Sequence, residues 1–206
     1  EDVKTYAWRA VPVMLGFSVV VLDEMLVKRW GTSLAEGTVA QLHYARTLMR
    51  VPMGVFGLAM GVAAFPTLSR LCAQGHPREA FELLNKAAEV LLLLVGLSQV
   101  FLTVSGTELA ALIWGQERMS SEGLSAVGLY CGGLSLGLWA WSLQGLAARG
   151  FYARGETWLP TLLGSLVMIL ALPLYARWVN QGGLGLALAS SLAISIYVSL
   201  LWVLVS

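Results

Sequence analysis

The sequence predicts an all-α fold, a polytopic transmembrane bundle of about six helices, and three observations carry that prediction. Hydrophobic residues make up 57% of the chain and charged residues only 12%. A soluble domain carries about twice that charged fraction, and a soluble core could not absorb so much apolar surface. Second, the charges fall between long uncharged runs, each near the roughly 20 apolar residues that cross a bilayer core as helix. Third, runs such as VLLLLVGL at 90–97 do not alternate, as the strands of a membrane β-barrel would. Helices satisfy their own backbone groups where no water is available.

The first helix is expected near Tyr6–Trp30, where the run between Arg9 and Asp23 is uncharged and apolar character resumes to Trp30. The second lies near Gln41–Phe65, inside the stretch that ends at Arg70. The third, Leu83–Val104, is centred on the uncharged run between Glu89 and Glu108. The fourth, Leu124–Ala148, fills the interval between Glu122 and Arg149. The fifth, Trp158–Trp178, follows Glu156, and the sixth, Leu184–Val205, occupies the uncharged end after Arg177. Trp8, Trp30, Trp114, Trp158, Trp178 and Trp202 stand near these ends, as interfacial anchors do. The segment His76–Glu89 opens with Pro77 and mixes charge with an apolar face. It reads either as an interfacial helix running into the third span or as an ordinary cytoplasmic loop.

Basic residues favour a cytoplasmic N-terminus. That orientation places Lys4, Arg9, Arg70, Arg78, Lys86, Arg149 and Arg154 inside, against Lys28, Arg29, Arg118 and Arg177 outside. Glu1 and Asp2 open the chain without a basic stretch before an apolar run, so no signal peptide is read. The pattern is that of the middle of a longer protein. The net charge of +1 gives no reason to expect nucleic acid as a partner. Cys72 and Cys131 have no metal-ligand spacing and are read as apolar packing residues. Motifs for metalloproteases, serine hydrolases, nucleotide loops and cofactors are absent, so neither an enzyme, a cofactor nor a metal is expected.

Charges inside a spanning helix are costly and suggest a site facing a cavity or a partner. In the first helix these are Asp23, Glu24, Lys28 and Arg29. Glu24 and Lys28 are one turn apart and could pair; alternatively the helix ends near Asp23 and the cluster sits at the outer interface. The second helix begins with His43, Tyr44, Arg46, Thr47 and Arg50. Arg46 and Arg50 share a face, as do His43, Thr47 and Arg50. Two guanidiniums with no acid within four residues in sequence read as an anion-binding surface, because the planar fork matches phosphate oxygens. Snorkelling to outer headgroups is the other reading. Pro52 then loosens the helix, and Gly54, Gly57 and Gly61 follow as hinge and packing positions. Gly57/Gly61, Gly128/Gly132 and Gly133/Gly137 are G-x-x-x-G pairs that permit close helix contact.

The segment 42–70, LHYARTLMRVPMGVFGLAMGVAAFPTLSR, resembles a signature of the MviN/MurJ-type lipid II flippases. That family lies within the superfamily of multidrug, oligosaccharidyl-lipid and polysaccharide exporters. The matching positions are Tyr44, Ala45, Leu48, Pro52, Gly54, Phe56, Gly57, Ala59, Pro66, Leu68 and Ser69. The stretches GFYARGETWLPT at 150–161 and GGLGLALASSLA at 182–193 are similar to a cytoplasmic loop and to the start of the last helix of one lobe.

The resemblance implies one six-helix lobe, residues 1–206, of a two-lobed alternating-access carrier in the bacterial cytoplasmic membrane. It implies an undecaprenyl-pyrophosphate-linked disaccharide-pentapeptide as substrate, membrane lipids and the first lobe as partners, and net movement from inner to outer leaflet. Cationic residues of a central cavity would hold the pyrophosphate. Many members carry arginine where this chain has Thr47, and an acid where it has Arg46. Arg50 returns to nearly the face of Thr47 and is expected to supply the cavity charge. Leu172 falls where some members use an asparagine for sodium, so no sodium site is expected. The alternatives are an exporter of drugs or polysaccharide-lipid intermediates and a non-transporting membrane scaffold derived from such a carrier.

Overall fold

The computed structural model describes residues 18–115 and 119–205. Among them all regular structure is helical. It comprises α1 (Ser18–Gly31), α2 (Thr38–Pro52), a π-helical stretch (Met53–Leu58) and α3 (Ala59–Ala73). Then come α4 (Pro77–Trp114), α5 (Ser121–Ser135), α6 (Leu138–Ala153), α7 (Trp158–Trp178), a 3-10 turn (Val179–Gln181) and α8 (Gly182–Val205). The expected opening of the first helix at 6–17 lies outside the described residues, and so do Lys4, Trp8, Arg9 and Arg118.

Among the described residues three helical stretches are long and apolar enough to cross a membrane: Thr38–Ala73, Pro77–Trp114 and Trp158–Val205. The pair α5–α6, bent by 46°, makes a fourth if it is taken as one span. Within the last stretch the chain reverses at Gly182, whose φ of 73° suits only glycine. The two legs run back along each other, and the Tyr197 hydroxyl donates to the Pro160 carbonyl at 3.0 Å. The described residues thus form six up-and-down legs. Tyr44 packs against Trp114, with ring centroids 4.8 Å apart and the planes tilted by 45°, at one end. At the opposite end the Arg154 guanidinium donates to the Val205 carbonyl.

Charges mislead where they lie on an outward face. The second helix does not stop at Phe65; it continues to Ala73 through Pro66, with Leu68 buried in the core and Pro66 exposed. The third does not end at Val104 but runs to Trp114, because Glu108 is exposed on the helix surface. The segment that read as a helix or a loop, residues 77–89, is the opening of this same helix, which at 38 residues is about 57 Å long. Pro77 starts it, where a missing N–H costs nothing.

The fourth helix, expected unbroken over Leu124–Ala148, breaks at Leu136–Gly137. Small residues let α8 approach here: a Cβ on Gly137 would lie 2.8 Å from the Ser191 Cα. Ser191 Oγ donates toward the Gly133 and Leu134 carbonyls, at 2.8 and 3.1 Å, so the bend leaves these polar groups partnered. The glycine pairs on this leg face opposite neighbours. Gly128 packs against Thr107 of α4, while Gly133 meets Leu184 and Ala187 of α8. Gly128→Ala would place a Cβ 2.7 Å from the Thr107 backbone nitrogen. We expect it to cost about 1–3 kcal/mol, read as a lowered unfolding temperature of the purified protein. Gly54→Ala should leave that temperature unchanged, since nothing lies within 4 Å of that position.

Leu91, Val95, Leu134, Leu138, Leu146, Phe151, Leu186 and Leu201 form the centre of the core. The outside is equally apolar: Leu93, Leu97, Val100, Val104 and Leu112 of α4 and Leu162, Ile169 and Leu170 of α7 are all more than half exposed. An apolar exterior over two long helices suits hydrocarbon, not water.

Candidate functional site

The site forms where α1 and α2 meet α7 and α8. Asp23 lies on α1 eight residues before its end, about 12 Å inward. Arg46 lies on α2 eight residues after its start, at the matching depth. Both are buried, Asp23 completely and Arg46 with 6% exposure. Arg46 Nη1 approaches Asp23 Oδ2 at 2.6 Å. Its Nη2 donates to Ser190 Oγ of α8 at 3.3 Å, and its guanidinium carbon lies 5.8 Å from the Trp141 ring centre. The Tyr175 hydroxyl of α7 donates to the other carboxylate oxygen of Asp23. A charged pair in a low-dielectric interior persists only if its remaining polar atoms are also engaged, and Tyr175 and Ser190 do this.

One turn further along α2, the Arg50 guanidinium meets the Glu24 carboxylate, and both groups remain partly exposed. Glu24 therefore serves Arg50, not Lys28 as the sequence spacing suggested. The two arginines are not a bare cationic surface, because each faces an acid of α1. Those acids are too distant in sequence to be seen in a window of four residues; Glu24 and Arg50 are 26 apart.

Arg46 points inward and Arg50 outward, and the exposed side of α2 runs through His43, Thr47 and Arg50. Thr47 Oγ1 donates to the His43 carbonyl at 2.9 Å. His43 and Tyr44 also border a cavity of about 800 Å³ under the α1–α2 turn, together with Lys28, Thr32 and Glu36. Polar groups thus descend in order from this cavity to Arg50 and Glu24, a track that could hold an anion by charge and hydrogen bonds.

Below Arg50 the helix changes character. Pro52 lacks an N–H, and the π-helical stretch Met53–Leu58 follows it directly. Gly57 is buried against α6, where a Cβ would stand 3.3 Å from the Ser142 Cα. Gly61 makes room for the guanidinium of Arg149, which donates to the Gly145 carbonyl at 2.8 Å. Gly54 is exposed and touches no neighbouring helix, so it is not a packing contact.

Of the expected site residues, Asp23, Glu24, Arg46 and Arg50 come together, and His43, Tyr44 and Thr47 lie beside them. Tyr175, Ser190 and Trp141 were missed. Tyr175 and Ser190 are polar interruptions of long apolar runs, the signal that could have found them. No group of three or more metal-ligating side chains occurs among the described residues.

The sequence profile of the family described as Lipid II flippase MurJ matches residues 1–206. A probable lipid II flippase MurJ of Rhizobium tropici is 28% identical over 199 residues, covering 93% of this chain and 36% of that protein. The chain thus spans little more than a third of this curated relative. A solved structure described as lipid II flippase MurJ in an inward closed conformation superposes with a TM-score of 0.77 at 22% identity, covering 93% of this chain and 40% of that one. An outward-facing multidrug resistance transporter of the MATE family gives 0.73 at 16% identity, with 93% and 42% covered. At such identities these two structures establish the shared fold.

Proposed function

Because this chain belongs to the lipid II flippase MurJ family, we propose that it is one six-helix lobe of a carrier for a lipid-linked cell-wall precursor. The match of the family profile to the whole chain is the observation that carries this reading. The carrier moves an undecaprenyl-pyrophosphate-linked disaccharide-pentapeptide from the inner to the outer leaflet of the bacterial cytoplasmic membrane. In this orientation the N-terminus and the end bearing Val205 are cytoplasmic. The chemistry is transport, not covalent catalysis.

The two arginines divide the work. Arg46, braced by Asp23, Tyr175 and Ser190, fixes α1 and α2 to α7 and α8. Arg50, with Thr47 and His43 on the exposed face, meets the pyrophosphate. Glu24 holds Arg50 until the substrate arrives, and exchange of carboxylate for phosphate keeps the guanidinium paired throughout. The first lobe of the protein completes the cavity, and rocking of the two lobes changes the side to which it opens. The loosened segment from Pro52 to Leu58, packed on α6 through Gly57, and the bend at Gly137 just before α6 give the lobe two places to flex.

The test is complementation with the full-length protein in bacteria depleted of their own lipid II flippase. Growth restored at normal cell shape is the expected outcome. A protein that reaches the membrane in normal amount yet never restores growth would contradict the proposal.

A further inference from the structure

A second cavity, of about 430 Å³, lies between α4, α6 and α8, on the opposite end of the bundle from the turn that joins α1 to α2. Its volume is within the range of small-molecule sites, and none of the residues around Arg46 and Arg50 lines it. Leu84, Gly150 and Val205 mark one level of the bundle: a Cβ on Gly150 would lie 3.2 Å from Leu84 and 3.0 Å from Val205. Measured from that level, Asn85 is at the rim, Trp202 about 5 Å inward and Glu89 about 7 Å inward. Leu92, Leu143 and Val198 follow at about 10–12 Å. The cavity is therefore polar at its mouth and apolar in its depth, as a lipid is.

Glu89 gives the mouth its sign. The ion pairs among the described residues are Arg46–Asp23, Arg50–Glu24 and His76–Glu79, so Glu89 has none. Lys86, one turn earlier on α4, is exposed and makes no ion pair with it. Glu89 is exposed at the head of the apolar outer face that continues through Leu93 and Leu97, so its carboxylate stands where a lipid headgroup cation can pair with it. The Trp202 indole, on the α8 wall of the same cavity, suits an ammonium group as well.

We propose that this groove binds an aminophospholipid, phosphatidylethanolamine, from the adjacent leaflet. Its ammonium donates to Glu89 and the Asn85 side-chain oxygen beside Trp202, and one acyl chain lies along Leu92, Leu143 and Val198. Phosphatidylcholine lacks N–H donors and phosphatidylglycerol lacks the cation, so both bind less well.

The full-length protein, purified and delipidated, would be exposed to each of the three lipids, and retained lipid counted by native mass spectrometry. Phosphatidylethanolamine should be retained about tenfold better than phosphatidylcholine, as a charge-assisted hydrogen bond implies. Glu89→Gln, which keeps the shape of the side chain, should abolish the preference, and Glu82→Gln, two turns earlier on the same exposed face of α4 but outside the groove, should not. Equal retention by the Glu89→Gln variant would overturn the proposal. So would equal loss in Glu82→Gln, which would mark a general surface-charge effect. No retention by the native protein would also overturn it, and would indicate that another segment of the protein fills the groove.

Discussion

Replacing Arg46 with alanine is expected to destabilise the protein by about 3–5 kcal/mol. The substitution leaves Asp23, which is fully buried, with a charge and only Tyr175 to share it. It also removes the donor to Ser190 and the cation that lies near Trp141. Four helices lose their common anchor at once. Thermal unfolding of the full-length protein in detergent would show the loss. The double variant Asp23→Asn/Arg46→Met should recover most of it, because removing both charges removes the desolvation penalty along with the attraction. An Arg46→Ala protein as stable as the native one would show that the pair does not brace the bundle.

Arg50→Ala should do the reverse: abolish transport while changing stability by less than about 1 kcal/mol, the range of an exposed ion pair. Its partner Glu24 is partly exposed and can be hydrated when the guanidinium is gone. Arg50→Lys should retain partial function, since lysine keeps the charge but loses the two-pronged match to phosphate oxygens. Complementation at matched expression separates the two arginines. Growth supported by Arg50→Ala as well as by the native protein would remove Arg50 from the substrate site.

The sequence shows its helices through the apolar runs, and the fifth, Trp158–Trp178, has the bounds expected of it. It hides its irregularities for a physical reason. The bend at Gly137 depends on Ser191, more than fifty residues away, and no local pattern contains that partner. The long third helix passes through charges because only their outward direction, set by packing, makes them harmless. The same limit governs the site. Charged residues at unusual depth mark Asp23, Glu24, Arg46 and Arg50 without a structure. Which arginine turns inward is decided by Tyr175 and Ser190, which follow Arg46 in the chain by 129 and 144 positions. A face-sharing rule places Arg46 and Arg50 together, yet the 40° between residues four apart is enough to bury one and expose the other.

The most direct test of the central claim reads the leaflet in which the lipid-linked precursor resides. Cells depleted of their own flippase and carrying the full-length protein would be treated with a reagent that cleaves the precursor only where it is exposed at the outer face. Cleavage restored by the native protein, and lost with Arg50→Ala at equal abundance in the membrane, is the predicted result. A precursor that stays protected while the native protein is present in the membrane would contradict the account.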